Sequence, residues 1–228
     1  RSSNKISMCR DLGVTNEYPI KKEEQNLKAK NKTNVLILMG ETGHTGDIFP
    51  CRNRIYQING IKDLSSLKKE FSSVLELKIK LHPWINDKDL IKAFEPELLK
   101  DVLPSNSDLE DALNSADFVI AVNYQGVAIL HSYFHEKPVF LYWCNETVSY
   151  SSPYEFAHLL MNGGTVIDSF ENLKTSIKLA IENEKYRANL IAKSKNYKEQ
   201  YLNDNKALPF STIIERIISK NKQVPTII

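Results

Sequence analysis

The sequence predicts an α/β domain with an open, mostly parallel sheet and helices on both faces. Three observations predict it. From Val35 onward short apolar runs alternate with helical patterns, the arrangement of successive βα units. A glycine-rich turn, "MGETGHTGD", follows the first of these runs directly. The chain has 228 residues, of which 42% are hydrophobic and 25% charged, enough for one α/β domain of ordinary size with a tail.

Residues 1–34 are polar and lysine-dense, and "KKEEQNLKAKNK" has no apolar period, so they read as a linker or extended arm ahead of a domain over 35–228. Strands are expected at Val35–Met39, Leu75–Leu81, Phe118–Val122, Val139–Tyr142 and Thr165–Ile167, with a weaker one at Asp101–Leu103. Leu64, Leu67, Phe71 and Val74 recur at helical steps and give a stripe able to cover a sheet face. Ser107 followed by Glu110 reads as a capping box over a short helix that buries Leu109, Ala112 and Leu113 and is closed by Asp117. Tyr124 to His135 carries Val127, Ile129, Leu130 and Phe134 on a helix ended by Lys137-Pro138. From Glu171 the chain turns helical. Leu173, Ile177, Ala180 and Ile181 form one stripe, a Lys/Tyr segment runs to about Leu202, and a last helix starts near Pro209 and carries Ile213, Ile214, Ile217 and Ile218.

Composition excludes several function classes. Thirty Lys and Arg against twenty-eight Asp and Glu leave a net charge of +2, so no general electrostatic case for nucleic acid exists. Cys9, Cys51 and Cys144 match no metal or redox spacing and read as reduced thiols of a cytosolic protein. No apolar run of about 18 residues is present, so neither a spanning helix nor an export signal is expected. His131, His135 and His158 fall at helical positions without metal-ligand spacing and read as packing or surface residues. Tyr197 and Tyr201, interleaved with Lys193, Lys195 and Lys198, read as a solvated amphipathic helix rather than a nucleic-acid or membrane face.

Three segments carry chemistry. Gly40, Gly43 and Gly46 form a turn whose backbone N–H groups can approach phosphate closely. It also resembles the fingerprint of reductases that bind NAD(P), but "DIFPCRNRIYQING" lacks the clean helix such a site needs, and the next strand ends in His82-Pro83 rather than an acid. His44 lies in the same loop. His82 ends a strand, where open α/β sheets place their ligands, and its imidazole can donate to a phosphate oxygen, or it can simply cap the strand. In "ADFVIAVNYQGVAIL" a strand ends at Asn123 and a helix begins near Gln125 or Gly126, so free N–H groups and the positive helix end meet any anion above.

Together these segments resemble the carboxyl-terminal half of GT-B glycosyltransferases. A strand ends in "HPW"; some thirty-five residues on comes "ADFVI" with a polar turn and amphipathic helix; then follow "EKPVF" and "GGTVIDSFENL". The sequence is most similar to the capsule polysaccharide and teichoic acid group, which includes the CDP-glycerol glycerophosphotransferases. The resemblance implies a Rossmann-like domain binding a nucleotide-activated sugar or polyol donor for transfer to a glycan or lipid-linked acceptor of the bacterial surface. It implies His82 as the group acting on the donor phosphate, and Asn123, Gln125, Gly126, Val127 and Glu146 as donor-binding residues; Gly43 and His44, in a loop read as lining the same cleft, and Pro83, which fixes the turn behind His82, are expected at the donor as well, with His44 able to face acceptor or donor. The chain departs from the group at "NYQGV", where Gln125 and Gly126 stand in place of two phosphate-binding serines. Backbone N–H groups of Gln125, Gly126 and Val127 are left to do that work. No metal and no cofactor beyond the donor are expected. An amino-terminal domain supplying the general base is expected upstream of Arg1, so the chain alone should bind nucleotide weakly and not turn over. The cysteines and the lack of a spanning or export segment give a cytoplasmic location as the expectation, with peripheral association at the membrane's inner face. An NAD(P)-binding domain and a non-catalytic binding module are the alternatives.

Overall fold

A computed structural model describes residues 32–40, 54–82, 88–123, 126–143 and 162–202, with the side chains of residues 88 and 89 excepted. Residues 1–31 of the arm expected over 1–34, with Gly43, His44, Gly46, Pro83, Tyr124, Gln125, Glu146, His158, the three cysteines and the helix beyond Pro209, lie outside the described residues, while Thr33 and Asn34 of that arm belong to the first strand.

Five strands form one sheet: β1 (Thr33–Met39), β2 (Leu75–Leu81), β3 (Phe118–Val122), β4 (Val139–Tyr142) and β5 (Thr165–Ile167). Their order is β2-β1-β3-β4-β5 and every pair is parallel. The limits of β2 to β5 are those the apolar runs mark out. β1 starts two residues before its apolar run, because Thr33 N donates to Val74 O (2.8 Å) and Asn34 N to the Asp117 carboxylate (2.8 Å). Asp101–Leu103 is no full strand. It meets β2 in a single bridge, Ile79 with Val102, through Ile79 N to Asp101 O and Leu103 N to Ile79 O.

The helices are α1 (Arg54–Phe71), α2 (Lys88–Lys92), α3 (Pro96–Leu99), α4 (Leu109–Ser115), α5 (Val127–Phe134), α6 (Phe170–Glu182) and α7 (Glu184–Tyr197), with a π-helical turn at Lys198–Leu202. Strand side chains alternate between two cores. Val35, Ile37, Ile120 and Phe140 pack against Ile61 and Leu64 of α1 and Leu173 and Ile177 of α6. Leu36, Leu38, Val119 and Leu141 pack on the other face against Leu113 of α4, Ile129 and Tyr133 of α5 and Tyr197 of α7. Each such side chain contributes roughly 1.5–3 kcal/mol on leaving water, so sheet and helices stand or fall together.

Four local expectations are corrected. The cap of α4 is Asp108, whose carboxylate accepts from Glu110 N (2.8 Å), and not Ser107, whose hydroxyl accepts from Lys80 Nζ (3.0 Å). Asp117 belongs to the β1 start rather than to the end of α4. Val74 lies beyond α1, which ends at Phe71. Tyr197 is buried against Tyr133, with ring centroids 4.6 Å apart, so the inner face of α7 is packed rather than solvated.

Candidate functional site

Parallel register brings all strand ends to one rim. Leu81 pairs with Met39, Met39 with Val122, Val122 with Tyr142 and Tyr142 with Ile167. The residues one step beyond, His82, Gly40, Asn123, Trp143 and Asp168, therefore line the carboxyl edge in the order of the strands. His82 and Asn123 stand two strand spacings apart, roughly 10 Å, with Gly40 between them. α1, between β1 and β2, covers one face and α5, between β3 and β4, the other, as the two cores record. The direction of strand order therefore reverses between β1 and β3, the switch point at which sheets of this kind hold ligands.

His82 is half-buried at this rim. Gly126 caps α5 in an extended conformation (φ −157°) and, having no side chain, supplies no side-chain cap to the first turn. The first turn of α5 has no acidic residue, so the positive end of its dipole is not offset by its own sequence. Ile129 N bonds to Gly126 O (3.1 Å), which tightens this turn.

Asn123 is only 2% exposed and has φ 45°, the left-handed region. Its N–H donates to Tyr142 O (2.8 Å), extending the β3–β4 ladder by one bond. Its side-chain Nδ2 donates to Tyr56 O (2.9 Å) in the first turn of α1, and Gln57 Nε2 donates back to Asn123 O (3.1 Å). Gln57 itself is fully buried. Of the residues expected at the site, the structure brings His82, Asn123, Gly126 and Val127 to one rim; the others lie outside the described residues.

Sequence reasoning missed Tyr56 and Gln57, which reach this rim from α1, and Trp143 and Asp168, which follow β4 and β5. Asp168 is exposed and accepts from Asn172 Nδ2 (2.9 Å). The signal for those two was available, since every residue directly after a strand stands on the rim. Below the rim, Tyr142 donates its hydroxyl to Asp63 (2.6 Å); burial pushes the Asp63 carboxyl above its ordinary 3.8 while that hydrogen bond pulls the other way.

His131 and His135 depart from the reading as packing or surface residues. His131 Nδ1 lies 2.7 Å from Glu110 Oε1, and His135 Nε2 bonds the other carboxylate oxygen. Hydrogen bonds from the two imidazoles, His131 first, hold the Glu110 carboxyl down at about 2. Among the described residues no group of His, Cys, Asp and Glu is arranged to hold a metal, and no helix is long and apolar enough to cross a membrane.

The sequence matches no family model and no curated protein. Solved structures do match. The wall teichoic acid polymerase TagF superposes over 96% of this chain and 47% of its own, with 12% identity and a TM-score of 0.52. TagF soaked with CDPG gives 96%, 46%, 14% and 0.51 for the same quantities. A UDP-GlcNAc 2-epimerase from Neisseria meningitidis, bound to UDP-GlcNAc, gives 84%, 45%, 18% and 0.49. The chain spans about half the length of each. At these identities the likeness concerns the fold alone: the chain has the α/β fold of about half of the GT-B-type teichoic acid polymerase.

Proposed function

We propose that this chain is the donor-binding half of a GT-B transferase that moves a glycosyl or polyol-phosphate group from a nucleotide-activated donor to a glycan or lipid-linked acceptor of the bacterial surface. One observation carries the reading: the register that sets His82 after β2 and Asn123 after β3 on one rim, either side of β1 where the strand order reverses, in the fold of TagF.

Departure of a nucleotide leaves negative charge on its phosphate. In the proposed site the N–H groups opening α5, from Gly126 and Val127 with Gln125 before them, meet that charge together with the helix dipole. His82 adds a hydrogen bond from the β2 side, or a full positive charge when protonated. Gly43, His44 and Pro83 are assigned to the same donor, and Glu146 to its ribose or the transferred group. These groups stabilise the leaving nucleotide and supply no base for the acceptor hydroxyl, so the chain alone binds donor without turnover. TagF soaked with CDPG makes a cytidine nucleotide the first probe.

Isothermal titration of the chain with CDP-glycerol, CDP and UDP-sugars tests the reading. Binding of at least one is expected, and His82→Ala should weaken it by about 1–2 kcal/mol, the scale of a hydrogen bond to a charged group. No heat from any of them in a folded sample overturns the donor site. Fluorescence enhancement of NAD(P)H in its place would move the function to the Gly40–Gly46 turn.

A further inference from the structure

We propose that Asn123 and Gln57 form a reciprocal amide latch that fixes the first turn of α1 against the carboxyl end of β3, and so sets the spacing of α1 and α5 at the rim the donor meets. The role of that spacing rests on the donor-site reading; the latch rests on geometry alone. Asn123 gives its Nδ2 hydrogen to Tyr56 O (2.9 Å), and Gln57 returns an Nε2 hydrogen to Asn123 O (3.1 Å). Both residues are sealed, at 2% and 0% exposure, so neither bond is exchanged with solvent at low cost.

The two ends are 66 residues apart in sequence and belong to opposite faces of the sheet. α1 packs on one core and α5 on the other, so no single core sets their spacing at the rim. The latch crosses between them at the point where the faces part. Asn123 is also anchored to the sheet, through its N–H to Tyr142 O. Its left-handed backbone (φ 45°) turns the chain out of β3 in the conformation that asparagine tolerates better than most residues.

Residue chemistry makes the latch specific. An aspartate in place of Asn123 has the same shape but presents an acceptor to the Tyr56 carbonyl, and two acceptors repel where a donor bridged them. Glycine in its place keeps the left-handed turn without strain but carries no side chain. Asn123 is accordingly a positioning residue, acting on a bound nucleotide through the spacing of α1 and α5.

The test uses the whole chain as wild type, Asn123→Asp, Asn123→Gly and Gln57→Met, read by amide hydrogen exchange and by titration with CDP. In the variants, exchange should rise about tenfold or more in the second turns of α1 and α5, whose N–H groups bond back to first-turn carbonyls, and stay level in β5. CDP affinity should fall about tenfold, the scale of one lost buried hydrogen bond, in variants that keep the wild-type melting temperature. Unchanged exchange at both turns overturns the latch. Raised exchange with unchanged affinity overturns its positioning role. If Asn123→Asp loosens the whole domain, Asn123→Gly and Gln57→Met decide by the same criteria. A wild-type chain that binds a UDP compound but no CDP is titrated with that compound instead; one that binds none of CDP-glycerol, CDP and the UDP-sugars overturns the donor reading and the positioning role with it, while exchange still judges the latch itself.

Discussion

Replacing Glu110 by glutamine removes the charge that two imidazoles share. The carboxylate joins α4 to α5: Oε1 lies 2.7 Å from His131 Nδ1, and Oε2 meets His135 Nε2. The two histidines are one helical turn apart on α5, so one acidic side chain spans both. Held at about 2 against an ordinary 4.5, the carboxyl contributes at most about 3 kcal/mol. Glu110 keeps 24% of its side chain in water, and screening there reduces the figure to about 1–2 kcal/mol. Because the folded value lies below the unfolded one, this stability is complete above pH 4.5 and disappears as pH falls towards 2. Urea unfolding of wild type and Glu110→Gln between pH 7 and pH 2.5 measures it. The variant should be about 1–2 kcal/mol less stable at pH 7, with the gap closing below pH 4.5. Two curves that fall in parallel across that range would refute the account of this carboxylate.

Other substitutions probe separate parts of the packing. A methyl added at Gly163 would sit 2.8 Å from ring atoms of both Tyr133 and Tyr197, and at Gly164 it would sit 2.7 Å from the Tyr133 hydroxyl and 3.0 Å from Val139 O. Gly163→Ala and Gly164→Ala should each cost about 1–3 kcal/mol, read as a lower melting temperature, and an unchanged melt would deny this contact between α5, α7 and the β5 entrance. Tyr142→Phe removes the hydroxyl that donates to Asp63. It should cost about 1 kcal/mol at pH 7, with the loss shrinking at acid pH, because the bond favours the charged carboxylate and burial already raises its pKa. A loss independent of pH would show the hydroxyl acting through packing alone.

Much of the fold was legible because its strands are apolar along most of their length. The limits of β2 to β5 could be read directly from runs such as "FVIAV" and "VFLY". The apolar run understates β1 because Thr33 and Asn34 carry no apolar signal; Asn34 is drawn into the sheet by Asp117, 83 residues away. The capping box failed for a similar reason. Ser107 and Asp108 are both good caps, and the choice falls to Asp108 because Lys80 of β2 takes the serine while the α5 histidines take Glu110. Tyr197 was legible in principle, since Leu190, Ser194 and Tyr197 hold one helical stripe, but a serine at its centre hides the pattern. The rim followed from the βα alternation and the His-Pro and Asn-Tyr-Gln-Gly turns. The Gln57–Asn123 latch had no sequence signal, because an amide at a buried helical position looks like any polar residue until its partner is known.

The grip on α5 bears on how the proposed site would stabilise charge. Glu110 holds the helix from α4, and Tyr197 packs on Tyr133 from α7. At its far end His135 N and Lys137 N return to carbonyls of His131 and Ser132. Lys198 reaches Glu136 just beyond. Side chains therefore clamp the body and far end of the helix, while Gly126 at the rim, having no side chain, gives the first-turn N–H groups no cap of its own. A dipole fixed in this way needs no reorientation when charge appears at its N-terminus, and absence of that reorganisation is what makes preorganised donors effective. On the proposed reading, glycine and glutamine can stand where serines would, because fixed backbone N–H groups rather than hydroxyls carry the contact.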